Sequence, residues 1–106
     1  MALEILVVDD EADIRELVSG VLEDEGYAVR TAGDSSAALN AIEDRRPSLV
    51  LLDVWLQGSK LDGLQLLEEV KRRDATLPVI ITRLPVGATR FSVARTVLTA
   101  TELPSR

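Results

Sequence analysis

The sequence predicts an α/β domain built on an open, parallel, doubly wound sheet. Three observations carry this. Residues 5–8 and 49–52 are continuous apolar runs of strand length, the pattern of strands buried on both faces. Stretches with helical periodicity alternate with the strand-like runs. The connections between them are short, which favours right-handed βαβ units.

The elements follow in order. Residues 5–8 (Ile-Leu-Val-Val) form the first strand, which runs into Asp9 and Asp10. Ile14, Leu17, Val18, Val21 and Leu22 recur at helical spacing, and Gly26 is placed to close that helix. Residues 27–32 alternate loosely and suit a second strand. Ser35 or Ser36 is placed to N-cap a short helix with Ala38, Leu39 and Ile42 inward, ending before Pro47. Residues 49–52 form the third strand and end on Asp53. A polar loop, Gln57-Gly58-Ser59-Lys60, leads to a helix with Leu64, Leu67 and Val70 inward. Residues 78–82 form a fourth strand. Phe91, Ala94, Leu98 and Thr101 share a helical face, which suggests a helix over 87–100.

A chain of 106 residues is one domain's worth of protein. Only three side chains are aromatic (Tyr27, Trp55 and Phe91), so the core must be aliphatic. Cysteine and histidine are both absent. That removes thiolate nucleophiles, Ser-His-Asp and Cys-His catalysis, and Cys or His metal sites. Carboxylates, hydroxyls, Lys and Arg remain for chemistry. The net charge of −6 opposes binding to nucleic acid or to an anionic membrane surface. No apolar run approaches the roughly 18 residues of a membrane span. The start Met1-Ala2-Leu3-Glu4 lacks a basic segment, so a secretory signal is not expected and a cytoplasmic location is.

The charge is unevenly distributed. Residues 1–76 carry 17 acidic and 8 basic side chains, whereas residues 77–106 carry one acid, Glu102, and four arginines. Three of the four prolines and five threonines also fall in this last stretch.

In an open parallel sheet, sites form outside the carboxyl ends of the strands. Asp9 and Asp10 end the first strand and Asp53 the third. If those strands are neighbours, three carboxylates converge and repel unless a cation lies between them. A hard dication such as Mg²⁺ fits an all-oxygen donor set. An isolated Asp at a strand end is usually just a solvated loop residue. A pair on one strand end facing a third on another is harder to explain that way.

Here the sequence resembles the receiver domain of two-component response regulators. The matching segments are Ile5-Leu6-Val7-Val8-Asp9-Asp10-Glu11, Leu49-Val50-Leu51-Leu52-Asp53, Asp62-Gly63-Leu64-Gln65-Leu66-Leu67 and Leu77-Pro78-Val79-Ile80. They span about residues 4–82 in the family's order. The loop from Asp53 through Trp55 to Gly63 is longer than in most receivers and looks like that of NtrX-type regulators of the nitrogen-regulation group. The resemblance implies a flavodoxin-like sheet of order 2-1-3-4(-5). It implies that Asp53 is a phosphoacceptor, taking its phosphoryl group from a sensor histidine kinase with Mg²⁺. It further implies metal binding by Asp9, Asp10, Asp53 and the backbone carbonyl of Trp55. Such a domain is a signalling module rather than an enzyme.

The resemblance divides the chain into a receiver-like core, residues 1–82, and an atypical segment, residues 83–106. Receivers carry a Ser or Thr at the end of the fourth strand and a Lys at the end of a fifth. Counting from Asp53 puts the hydroxyl position at Arg83, and Thr82 replaces it only if the strand end shifts. Both lysines, Lys60 and Lys71, precede the fourth strand. No Lys-Pro pair and no clear fifth βα unit follow. Residues from about 83 therefore read as a substituted, truncated or frame-shifted tail. A missing fifth strand would leave the fourth at the sheet edge, an invitation to homodimers. The alternative function is a receiver-like interaction or dimerisation module that is not phosphorylated. A Mg²⁺-dependent phosphohydrolase fits less well, because haloacid-dehalogenase-like enzymes space their first two aspartates one residue apart, whereas Asp9 and Asp10 are adjacent.

Overall fold

The computed structural model of the chain describes residues 3–53 and 61–82. Trp55, Phe91, the expected helix over 87–100 and the question of a fifth βα unit lie outside them. The described elements are β1 (Glu4–Val8), α1 (Ala12–Asp24), β2 (Ala28–Ala32), α2 (Ser35–Asp44), β3 (Leu49–Asp53), α3 (Gly63–Arg73) and β4 (Val79–Thr82). All strand pairs are parallel, in the order β2-β1-β3-β4. This is the flavodoxin-like sheet that the sequence predicts.

The unbroken apolar runs have a direct explanation. Side chains alternate between the two faces of a strand, and both faces here are covered. Leu6, Val8, Val50 and Leu52 pack with Ala38 of α2 and with Leu66 and Val70 of α3. Ile5, Val7 and Leu51 pack with Ile14, Val18, Val21 and Leu22 of α1. Each fully buried Leu, Ile or Val contributes roughly 1.5–3 kcal/mol relative to exposure, and together they offset the entropy of ordering the chain.

The helix ends are chemically defined. α1 closes in a Schellman arrangement: Tyr27 N–H donates to Leu22 O, Gly26 N–H donates to Glu23 O, and Gly26 has φ +94°. Glycine adopts that left-handed conformation without a Cβ penalty. At α2 the expected cap is corrected. Asp34, not Ser35 or Ser36, caps the helix by accepting from Ala37 N–H at 2.7 Å. Ser35 is instead buried and accepts from Leu61 N–H at 3.1 Å. α3 begins with a capping box, in which Asp62 accepts from Gln65 N–H and Gln65 accepts from Asp62 N–H.

The inward face of α3 also differs from expectation. Leu66 and Val70 are buried and Leu67 is half-buried, but Leu64 is exposed. The core stripe runs through Gly63, Leu66 and Val70 at spacings of three and four. Leu64 is adjacent to Gly63 and so points about 100° away from that stripe.

Candidate functional site

β1 and β3 are neighbours, so their carboxyl ends meet at the centre of the sheet edge. Asp9 follows β1 directly, and Asp53 is the last residue of β3. Strand alternation sets their direction. Asp9 continues the row of Ile5 and Val7, and Asp53 that of Leu49 and Leu51, both of which pack towards α1. Asp9 and Asp53 are 3% and 8% exposed, and Asp10 is half-buried. One carboxylate oxygen from each of the three lies within 4.8 Å of the others. Among the described residues, this is the group of acidic side chains with metal-ligand geometry.

Three ionised carboxylates at that separation repel by on the order of 3 kcal/mol per pair at an effective dielectric near ~20. At Asp9, burial adds to that repulsion. Asp9 is pushed up to about 7, first by burial, then by the charge and hydrogen bonding of Asp53 and the charge of Asp10. One interaction opposes this: Glu11 N–H donates to Asp9 Oδ1 at 2.8 Å and favours the ionised form. A buried all-oxygen set in which the charged form of Asp9 is disfavoured is short of positive charge, and a hard dication fits it.

Thr82 ends β4 and is 8% exposed. The β3–β4 register pairs it with Asp53. It also continues the row of Ile80, which packs towards α1. Thr82 therefore lies on the same sheet face as Asp9 and Asp53, although counting along the chain points to Arg83. Trp55 and Arg83 lie outside the described residues. Glu11 is exposed at the N-cap of α1, makes no side-chain cap bond, and contributes through its backbone N–H.

Two residues at this edge escape the sequence reading. Arg15, on the first turns of α1, donates from Nη1 to the carbonyl oxygen of Asp9 at 2.6 Å. Gly33 follows β2, and a Cβ added there would lie 3.0 Å from that same Nη1. The available signal was charge, because Arg15 is the single cation in the first 29 residues, otherwise an acidic stretch.

The fold and this edge define a receiver module of two-component signalling. The family model of the response regulator receiver domain matches residues 5–86, and the chain belongs to that family. Within it, the chain is similar to the nitrogen assimilation regulatory protein NtrX of Azorhizobium caulinodans. That relative is 58% identical over 81 residues, which are 76% of this chain and 18% of the relative. A putative NtrX-like response regulator of Rickettsia bellii is 46% identical over 79 residues, 74% of this chain and 16% of its own length. The crystal structure of the NtrX receiver domain from Brucella abortus superposes with a TM-score of 0.73 at 51% identity, covering 91% of this chain and 78% of that one. The chain thus spans under a fifth of the length of these two curated relatives. No helix among the described residues is long and apolar enough to cross a membrane.

Proposed function

We propose that this chain is a phosphoacceptor domain in which Asp53 takes a phosphoryl group from the phosphohistidine of a sensor kinase. The convergence of Asp9, Asp10 and Asp53, with carboxylate oxygens within 4.8 Å, carries the reading. An Asp53 oxygen attacks phosphorus, a P–O bond forms as the P–N bond to the kinase histidine breaks, and the electron pair of that bond stays with the imidazole. Such transfer is loose and metaphosphate-like, so positioning and charge neutralisation do most of the work. Mg²⁺ held by Asp9, Asp10, Asp53 and the Trp55 carbonyl would offset charge on the equatorial oxygens. Asp53 supplies the nucleophile, and the low exposure of Asp9 and Asp53 limits water at the acyl phosphate. The Thr82 hydroxyl, in register with Asp53, is our choice for the group that donates to a phosphoryl oxygen.

The test is titration with Mg²⁺ followed by beryllofluoride, read by Trp55 fluorescence, with Asp53→Ala as control. A saturable response to both, lost in the variant, supports the proposal. No response to either rejects it.

A second reading is an interaction module that is not phosphorylated. Its support is that both lysines, Lys60 and Lys71, precede β4, which leaves the lysine expected of a phosphorylated receiver without a counterpart. Residues 1–82 would then retain the receiver core, and residues 83–106 would be a tail unlike the family's. We also propose self-association. β4 is an edge strand of the described sheet, and Ile81 is 39% exposed on it. Light scattering after size-exclusion chromatography that finds only monomer at high concentration rejects the homodimer.

A further inference from the structure

We infer that Arg15 and Gly33 form a positioning device for Asp9, and through it for the whole carboxylate cluster; the link to the cluster's metal rests on the function proposed above. The inference starts from the β1–β2 ladder. Its last pair is Val8 and Ala32, and the pattern continues for half a step, with Asp9 N–H donating to Ala32 O at 3.1 Å. In a parallel ladder, the Asp9 carbonyl would next accept from the amide of Asp34. Asp34 has instead become the N-cap of α2. The Asp9 carbonyl would be left at the sheet edge without its ladder donor, and the Arg15 guanidinium supplies one, at 2.6 Å.

Gly33 makes room for that guanidinium. A Cβ there would lie 3.0 Å from Nη1, 3.4 Å from Cζ and 3.6 Å from Nη2 of Arg15. No positive φ requires glycine at this position, so its use is steric. Asp9 is then fixed at three points: its N–H by β2, its carbonyl by Arg15, and its carboxylate by Glu11 N–H at 2.8 Å. Asp10 follows in the same three-residue turn between β1 and α1, so the aim of both carboxylates depends on it.

The device makes a prediction whose sign separates it from simple electrostatics. A nearby cation acting through charge alone repels Mg²⁺, so Arg15→Ala would tighten Mg²⁺ binding. A positioning role requires the opposite, a loss of roughly tenfold, the scale of lost supporting contacts around a metal ligand. Arg15→Lys, which keeps a donor, should recover part of the loss. Gly33→Ala keeps the charge but crowds the guanidinium, and should weaken binding in the same direction by less. In an Arg15→Ala background, Gly33→Ala should have no further effect, since the group it displaces is gone.

A second readout needs no metal. Hydrogen-exchange protection of the Glu11 amide, which donates to Asp9, should fall in Arg15→Ala and Gly33→Ala, while the core amide of Val50 keeps its protection. Loss at both amides would mean general destabilisation, and unchanged Glu11 protection would mean no positioning. Either result overturns the inference, as does tighter Mg²⁺ binding in Arg15→Ala. If the native chain binds no Mg²⁺, the metal reading fails, and the Glu11 amide alone decides the role of Arg15.

Discussion

Asp53 and Thr82 are direct partners across the β3–β4 ladder, each 8% exposed and each on the face that packs towards α1. In a parallel pair this brings the two side chains side by side at the same depth. A group attached to the Asp53 carboxylate would extend beyond the sheet edge on the side where the hydroxyl sits. The register therefore sets Thr82 beside Asp53, which is the observation behind its proposed role as the hydroxyl donor.

Removing that hydroxyl should separate metal binding from phosphoryl-analogue binding. Thr82→Ala should bind Mg²⁺ with unchanged affinity, because Thr82 is not among the clustered carboxylates. Its affinity for beryllofluoride should fall about tenfold, the worth of one hydrogen bond to a charged group. Thr82→Ser should restore most of it. Equal analogue binding by Thr82→Ala and the native chain would exclude Thr82 from the role.

The raised Asp9 pKa makes stability depend on pH in a defined direction. Its ordinary value of 3.8 rises to about 7 in the folded chain. Between those values the folded state holds a proton that the unfolded state has released. Stability without divalent metal should therefore fall as pH rises through that window, with a slope of up to ~1.4 kcal/mol per pH unit, and level off above it. Denaturant melts in chelator across this range should show the slope, and Asp9→Asn should flatten it. A stability that rises over the same range would contradict burial of Asp9 as its dominant cause.

Metal should reverse the penalty where it is largest. Above pH 7, Mg²⁺ at about a hundred times its dissociation constant should stabilise the chain by about 2.7 kcal/mol, since binding favours the folded state by mass action. Asp53→Asn and Asp10→Asn should each reduce the effect, and chelator should abolish it. The comparison is a thermal melt with and without Mg²⁺ at fixed ionic strength. Identical midpoints would count against a cation among the three carboxylates.

How much of this was legible in the sequence depends on the range of the forces involved. Residues 5–8 and 49–52 read as central strands because burial on both faces leaves no position for a polar residue. Asp9, Asp10 and Asp53 stood out because each run stops on a carboxylate. Arg15 and Gly33 did not, since their contact joins α1 to the end of β2 and leaves no local periodicity. The cap of α2 was missed by one residue because Asp34 and Ser35 are both good cap formers, and only the contact of Ser35 with Leu61 N–H decides between them. The pairing of Thr82 with Asp53 was not legible, because counting along a chain ignores the register in which β4 pairs with β3.

The face of α3 offers the clearest energetic contrast. Leu64 and Leu66 both lie in the segment that carries the family resemblance, and spacing alone favoured Leu64 as the core residue. The fold reverses them: Leu66 is 1% exposed and Leu64 is 55% exposed. Leu66→Ala should remove buried methyl groups and leave a cavity between α3 and the sheet, costing about 2–5 kcal/mol. Leu64→Ala should change stability by no more than about 0.5 kcal/mol, because its side chain gives up little burial. Urea melts of the two variants decide the matter. A large loss from Leu64→Ala with little from Leu66→Ala would mean that α3 is rotated by one residue from the position described here. That rotation would also move the capping box at Asp62, so Asp62→Ala, expected to cost about 1 kcal/mol, should then be neutral.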